Sequence, residues 1–228
     1  MTAPELRPDT KLRLLDAAEK LFSEHGFAAT SLRAITTAAG ANLAAVNYYF
    51  GSKEGLVRAI FDRRLGPLND ERLRLLAECE REAAPDPPDV DCVLRAMTVP
   101  WALMVREASA SGVQFVRLLG RAHFEPDPEL RRLIVESFRD VVRRFADALG
   151  RCVPNLSRRE LHSRFFFAVG AFTVIADLPT FSRFASDEET PAEDLPDLET
   201  VVEHMIAFLR AGFLSPPTER REPGKDAS

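Results

Sequence analysis

Asn47 and Tyr48, in the stretch GANLAAVNYYFGSKEGL (residues 40–56), set an amide beside a phenol on a run that holds no acid before Glu54. An amide can exchange hydrogen bonds with a base edge, and a phenol hydroxyl can hold a phosphate oxygen. Leu43, Ala44 and Ala45 allow close approach and can touch a thymine methyl. Such a set suits contact with an anionic duplex and does not suit bond-making chemistry. Elsewhere the chain has no Ser/His/Asp or Cys/His arrangement on a recognisable elbow, no glycine-rich phosphate cradle and no metal-ligand spacing. We therefore expect no catalytic residue, no metal and no cofactor. A helical enzyme or small-molecule carrier without sequence-specific DNA binding is the alternative, since catalytic groups can converge in space.

The elements that position these residues read as helices throughout, with no stretch of convincing strand alternation. A first helix is expected over Thr10–His25, with Leu14, Leu15, Ala18, Leu21 and Phe22 at helical spacing and Gly26 as its stop. A second, Ser31–Ala39, buries Leu32, Ile35 and Ala38. Gly40 supplies the left-handed turn that follows. Asn42 caps a third helix running to Phe50, and Ser52 caps a fourth from Lys53 that bends at Gly66-Pro67. On the third helix Val46, Tyr49 and Phe50 share the inward face. Ala44, Asn47 and Tyr48 face out, flanked by Leu43 and Ala45. Tyr48 is a phosphate ligand or a partly buried aromatic; Arg33 reaches the same groove or is a surface charge. Lys53 lies where a helix dipole disfavours a cation and a phosphate would favour one, unless it is simply solvated.

After the linker AAPDPPDVD (83–91), helices are expected at Cys92–Ser109, Val113–Phe124 and from Asp127-Pro128 to Gly150. Ser157 and Glu160 form a capping box ahead of Leu161–Leu178, and Leu198–Leu214 is the last helix. Phe165, Phe166, Phe167, Phe172, Val174 and Ile175 go nearly round one helix, which should be buried on all sides: by its own core, a partner subunit or an effector cavity. With the last helix, which carries Val201, Met205, Phe208, Leu209 and Gly212, it would make a four-helix dimer interface. Arg131, Arg132, Arg139, Arg143 and Arg144 read as an exposed face or, less simply, a second nucleic-acid surface. The tail from residue 215 reads as disordered.

Charge is uneven over the 228 residues: residues 1–64 hold nine Lys/Arg and seven Asp/Glu, and the remainder 21 and 28. A slightly basic head on an acidic body is compatible with an anionic partner for the head. Cys79, Cys92 and Cys152 are odd in number and far apart, which disfavours a disulfide framework and fits a reducing cytoplasm. The start, MTAPELRPD, has no apolar signal core, and no uncharged run is long enough to span a bilayer. A cytoplasmic protein is expected.

The run LLDAAEKLFSEHGFAATSLRAITTAAGANLAAVNYYFGSKEGL resembles the DNA-binding head of the TetR family of transcriptional regulators. The markers are Ala-Ala-x-x-Leu-Phe at 17–22, Gly26, Thr30-Ser31, Ile35, Ala39-Gly40, Tyr49-Phe50 and Lys53-Glu54; Asn47, where a tyrosine is usual, and Ala44 depart from the pattern. The resemblance implies an all-α fold: a three-helix helix-turn-helix head over 9–65, joined by a long helix to a helical effector-binding and dimerisation body over 66–214, with a tail over 215–228. It implies a homodimer on operator DNA, a small hydrophobic effector and no membrane. The DNA-contacting set is then Ser31, Arg33, Asn42, Leu43, Ala44, Ala45, Asn47, Tyr48 and Lys53. NLAAVNYYFGSKEGLVRAIFDRRLGP with FVRLLGRAHFEPDPELR is similar to the PsrA-type branch, whose effectors are long-chain fatty acids. In the body, Arg117 and His123 are candidates to pair with an effector carboxylate, or make structural hydrogen bonds.

Overall fold

A computed structural model describes residues 8–106, 115, 118–119, 128–175 and 197–218. All regular structure among them is helical, as expected: α1 (Pro8–His25), α2 (Leu32–Ala38), α3 (Leu43–Phe50), α4 (Lys53–Ala83), α5 (Val90–Arg106), α6 (Pro128–Cys152), α7 (Arg158–Ile175) and α8 (Leu198–Leu214). In the head, Leu14, Leu15, Ala18 and Phe22 of α1 pack with Ile35 of α2 and Val46 of α3. On α2 the buried partners of Ile35 are Thr36 and the flanking Ala39, while Ala38 is exposed, contrary to expectation. The buried face is still centred on Ile35 with Leu32 packed beside it, but Ala39 completes it in place of Ala38. Gly40 adopts φ +58 at the turn, and a Cβ there would come within 3.3 Å of the Arg13 guanidinium. That guanidinium donates to the carbonyl of Ala39 at 2.9 Å, satisfying an end of α2 that the helix cannot satisfy itself.

Ser52 accepts from the backbone N–H of Gly55 at 3.0 Å and so starts α4. Gly55 admits the Phe50 carbonyl so closely that a Cβ would lie 1.9 Å from its oxygen. α4 stays helical through Gly66-Pro67 and buries Leu56, Ile60, Phe61, Leu65, Leu68, Leu76 and Cys79 along one side. Its first half belongs to a core shared with the head, Trp101, Leu130 and Leu133. Its second half belongs to a core with Val93, Leu94, Phe145, Leu149, Ile206 and Phe213. α4 is thus common to both.

Four expectations need correction. Cys79 and Cys92 form a disulfide with Cα atoms 6.0 Å apart; thirteen residues look distant in an extended chain, but α5 folds back on α4 and brings the two together. Cys152 remains a thiol, donating to the Pro88 carbonyl at 2.9 Å, and burial pushes it up to about 11. Only half of the capping box forms: Ser157 accepts from Glu160 N–H at 3.2 Å, while the Glu160 carboxylate serves Arg164 and Thr218 instead. Through those bonds, and those of Arg164 to the carbonyls of Ser215 and Pro216, residues 215–218 of the expected disordered tail are held against α7. Finally, α7 is not buried all round within one chain, because Phe166 and Phe167 are exposed. The helix expected at Val113–Phe124 and the end of the one expected to Leu178 lie largely outside the described residues.

Candidate nucleic-acid interface and body cavity

α3 is held from beneath and open above. Val46 is fully buried and Tyr49 and Phe50 pack partly on the head core. Asn42 caps the helix by accepting from the N–H of Ala45 at 2.9 Å. Leu43, Ala44, Asn47 and Tyr48 are exposed, and Tyr48, 68% exposed, rests edge-on against Tyr49 with ring centroids 5.1 Å apart. Ser31 and Arg33 of the neighbouring α2 are exposed too, and Ser31 Oγ accepts from Ala34 N–H at 3.1 Å.

One of the expected contact residues differs, and another has a partner within the chain. Ala45 is 3% exposed: it faces the head core beside Val46, so it cannot meet a base. The Lys53 ammonium donates to the carbonyl of Phe27 and lies 4.1 Å from the centroid of that ring, so in this arrangement it ties α4 to the loop after α1. Arg117 and His123 lie outside the described residues.

Within the head, the sequence reading missed an ionic lock between α1 and α4. Glu19 on α1, 1% exposed, is gripped by Arg63 and by Arg64, the latter at 2.8 Å, and Arg63 reaches Asp16 at 2.7 Å. Further along, Arg58 of α4 bonds Glu136 of α6 at 3.2 Å. α4 is thereby tied to α1 on one side and to α6 on the other.

Beyond the lock, a cavity of about 1060 Å³ opens between α6 and α7 and reaches inward to α4 and α5. Its walls are mostly apolar, among them Phe138, Val142, Phe165, Phe166 and Val169, and Arg139, Arg143 and Arg158 stand on its exposed side. At its inner end lie Arg72 and Trp101. Arg72 Nε donates to the Met97 carbonyl at 2.8 Å and its Cζ is 5.9 Å from the Trp101 ring centroid. Burial alone pushes the guanidinium down to about 10. Trp101 Nε1 is buried without a hydrogen-bond partner, and so is Asn69 Oδ1 one turn before Arg72. The sequence did carry a signal, because Arg72 falls in register with Leu65, Leu68, Leu76 and Cys79 on the apolar side of α4.

Residues 14–60 match bacterial regulatory proteins of the tetR family, and residues 95–212, over half of the chain, match the tetracyclin repressor-like C-terminal domain. The chain belongs to the TetR family. Its members are helix-turn-helix transcriptional regulators, and α2 and α3 fall within the matched head. The HTH-type transcriptional dual regulator CecR of Shigella flexneri is 28% identical over 160 residues, 67% of this chain and 70% of that protein. The HTH-type transcriptional repressor ComR of Escherichia coli (strain K12) is 49% identical over 49 residues, 22% of this chain. That match spans 23% of ComR's length, and the match to the probable regulator YttP of Bacillus subtilis (strain 168) spans 25%. Among solved structures, the fatty acid degradation regulator FadR from Bacillus halodurans superposes with a TM-score of 0.65 at 17% identity, over 93% of this chain and 97% of that one. A TetR-like regulator from Rhodococcus sp. RHA1 does so with 0.56 at 21%, over 92% and 98%. Like those relatives, this TetR-family chain is all-α; among the described residues no helix is long and apolar enough to cross a membrane, and no cluster of metal-ligating side chains occurs.

Proposed function

We propose that this TetR-family protein is a dimeric repressor that binds operator DNA through α3 and is released by a small hydrophobic effector held in the body. The observation that carries the reading is the outward face of α3: Leu43, Ala44, Asn47 and Tyr48 stand exposed and acid-free on a helix fixed from below by Val46. Asn47 reads a base edge, Ala44 and Leu43 offer apolar contact, and Tyr48 with Ser31 and Arg33 holds phosphates. Residues 9–65 serve as the DNA-binding unit and 66–214 as the effector and dimerisation unit. Two-fold symmetry places half-site centres about 34–36 Å apart. The dimer forms through α7 and α8, where Phe166, Phe167 and Phe208 are exposed next to the small residues Gly170, Ala207, Ala211 and Gly212. The large apolar cavity, the likeness to the PsrA-type branch and the fold shared with FadR favour a fatty acid or its coenzyme A thioester as effector.

Footprinting of the region upstream of the protein's own gene tests this. Wild type should protect a two-fold symmetric site, and Tyr48→Ala and Asn47→Ala should lose the protection while keeping the fold. Unchanged protection by both variants refutes the docking. Protection insensitive to fatty acids and to acyl-coenzyme A removes the lipid effector and leaves the repressor.

A further inference from the structure

Four arginines elsewhere in the fold hold acids. Arg63 and Arg64 hold Glu19, Arg95 holds Asp91 and Glu203, and Arg164 holds Glu160. Arg72 does not: it is 6% exposed, and no carboxylate among the described residues pairs with it. One of its five N–H groups is used, by the Met97 carbonyl. A buried cation without a counter-charge is costly to keep, and the Met97 carbonyl and the Trp101 ring account for one N–H and one face of the guanidinium. Beside it Trp101 lines the same cavity, while its Nε1 is closed off from that space. A desolvated cation at the inner end of an apolar space forms an anion site. The inner wall, with Phe138, Phe165 and Val169, carries no charge; the other charged or titratable lining residues, Arg139, Arg143, Asp147, Arg151, Arg158 and His162, are exposed.

We propose that Arg72 binds the carboxylate of an apolar monocarboxylic acid that enters head first, with its chain lying between α6 and α7. This rests on the reading of the body as an effector-binding unit and sharpens it. A free carboxylate accepts from the guanidinium at the closed end. A coenzyme A thioester of the same acid has no charge at its acyl end, and its phosphates reach only the rim, at Arg139, Arg143 and Arg158. The cavity therefore selects the free acid over both its thioester and its alcohol. The position of the site also gives it leverage. Trp101 belongs to the core shared with the head, whereas Met97 belongs to the core of the body, and Arg72 on α4 spans the two.

Trp101 is the chain's single tryptophan, so intrinsic emission of the full-length protein reports on this site alone. The titrants are dodecanoate and hexadecanoate, the matched primary alcohols and hexadecanoyl-coenzyme A. Wild type should bind the carboxylates about tenfold or more tighter than the alcohols, the discrimination a charge-assisted hydrogen bond supplies. Arg72→Met should bring the two classes within about twofold by weakening the acid and leaving the alcohol unchanged, which a merely structural loss would not do. Should Arg72→Met fail to fold, Arg72→Gln read by the same emission should still narrow the preference. Arg143→Gln at the rim should leave it intact. Equal affinity for acid and alcohol in wild type, a preference that survives Arg72→Met, a thioester that binds tightest, or no binding by any titrant overturns the proposal. The effector reading is judged separately by operator release: alcohols and acids that release DNA equally sink the carboxylate site and spare the repressor. Acids that bind at Arg72 without loosening DNA do the reverse.

Discussion

Phe208→Ala should weaken self-association by a calculable amount. Phe208 is 75% exposed on α8, and Phe167 is 72% exposed on the adjacent α7. Burying a whole phenylalanine side chain contributes about 1.5–3 kcal/mol, so covering the three-quarters still exposed contributes about 1–2 kcal/mol. A two-fold interface buries the residue once from each subunit, which brings the loss on truncation to about 2–4 kcal/mol. The dimer dissociation constant should then rise by about 30- to 700-fold. Sedimentation of wild type and variant over a dilution series measures it, with circular dichroism and thermal melting confirming that the monomer still folds. Leu12→Ala, which removes an exposed leucine on α1, is the control and should change nothing. If Phe208→Ala and Phe167→Ala both keep the wild-type constant within a factor of about two while remaining folded, the α7–α8 face is not where subunits meet.

Other perturbations test the parts that hold the reading surface. Glu19→Gln leaves Arg63 and Arg64 facing a neutral group in a largely buried site. Because both guanidiniums keep some solvent, the expected loss is about 2–4 kcal/mol in chemical denaturation, with a looser coupling between α1 and α4. Gly55→Ala should cost about 1–3 kcal/mol despite alanine's better helix propensity, since its Cβ would fall 1.9 Å from the Phe50 carbonyl and force α3 away from α4. The Asp197 carboxylate is held below its ordinary value of 3.8, chiefly by the backbone N–H of Thr200. Its share of stability is full above the unfolded-state value and fades as pH falls through the folded one. The melting temperatures of wild type and Asp197→Asn should therefore differ at neutral pH and converge in acid; a constant gap contradicts the cap.

The head was legible because its signals are local. Ser31, Asn42 and Ser52 each cap the helix that follows, and Gly26, Gly40 and Gly51 each take a positive φ. The outward positions 44, 47 and 48 follow from a fixed period of 100° per residue. Ala45 was misjudged because a flanking position on so short a helix goes either way, and the neighbouring packing decided it. The contacts of Lys53 were not legible, because the carbonyl and aromatic face supplied by Phe27, 26 residues earlier, are tertiary facts. The same applies to Cys79–Cys92, and to Glu19, whose partners lie 44 and 45 residues away. Arg72 was the most readable of the residues missed. A charged side chain in step with an apolar stripe announces either a lone surface excursion or a buried ion awaiting a counter-charge, and only the packing distinguishes them.

Pro67 lends α4 a property that its continuous helical course conceals. Without an N–H it cannot bond back to the carbonyl of Arg63, so the rod has a compliant joint between the stretch that grips the head and the stretch stapled to α5 by Cys79–Cys92. From Pro67 down to Lys53 the arm measures about 21 Å. A swing of about 10° at that joint carries its foot through an arc of ~3.7 Å, close to the rise of one base pair, about 3.4 Å. A hinge motion smaller than a side-chain rotamer change thus suffices to put a paired set of reading heads one base step out of phase with the duplex.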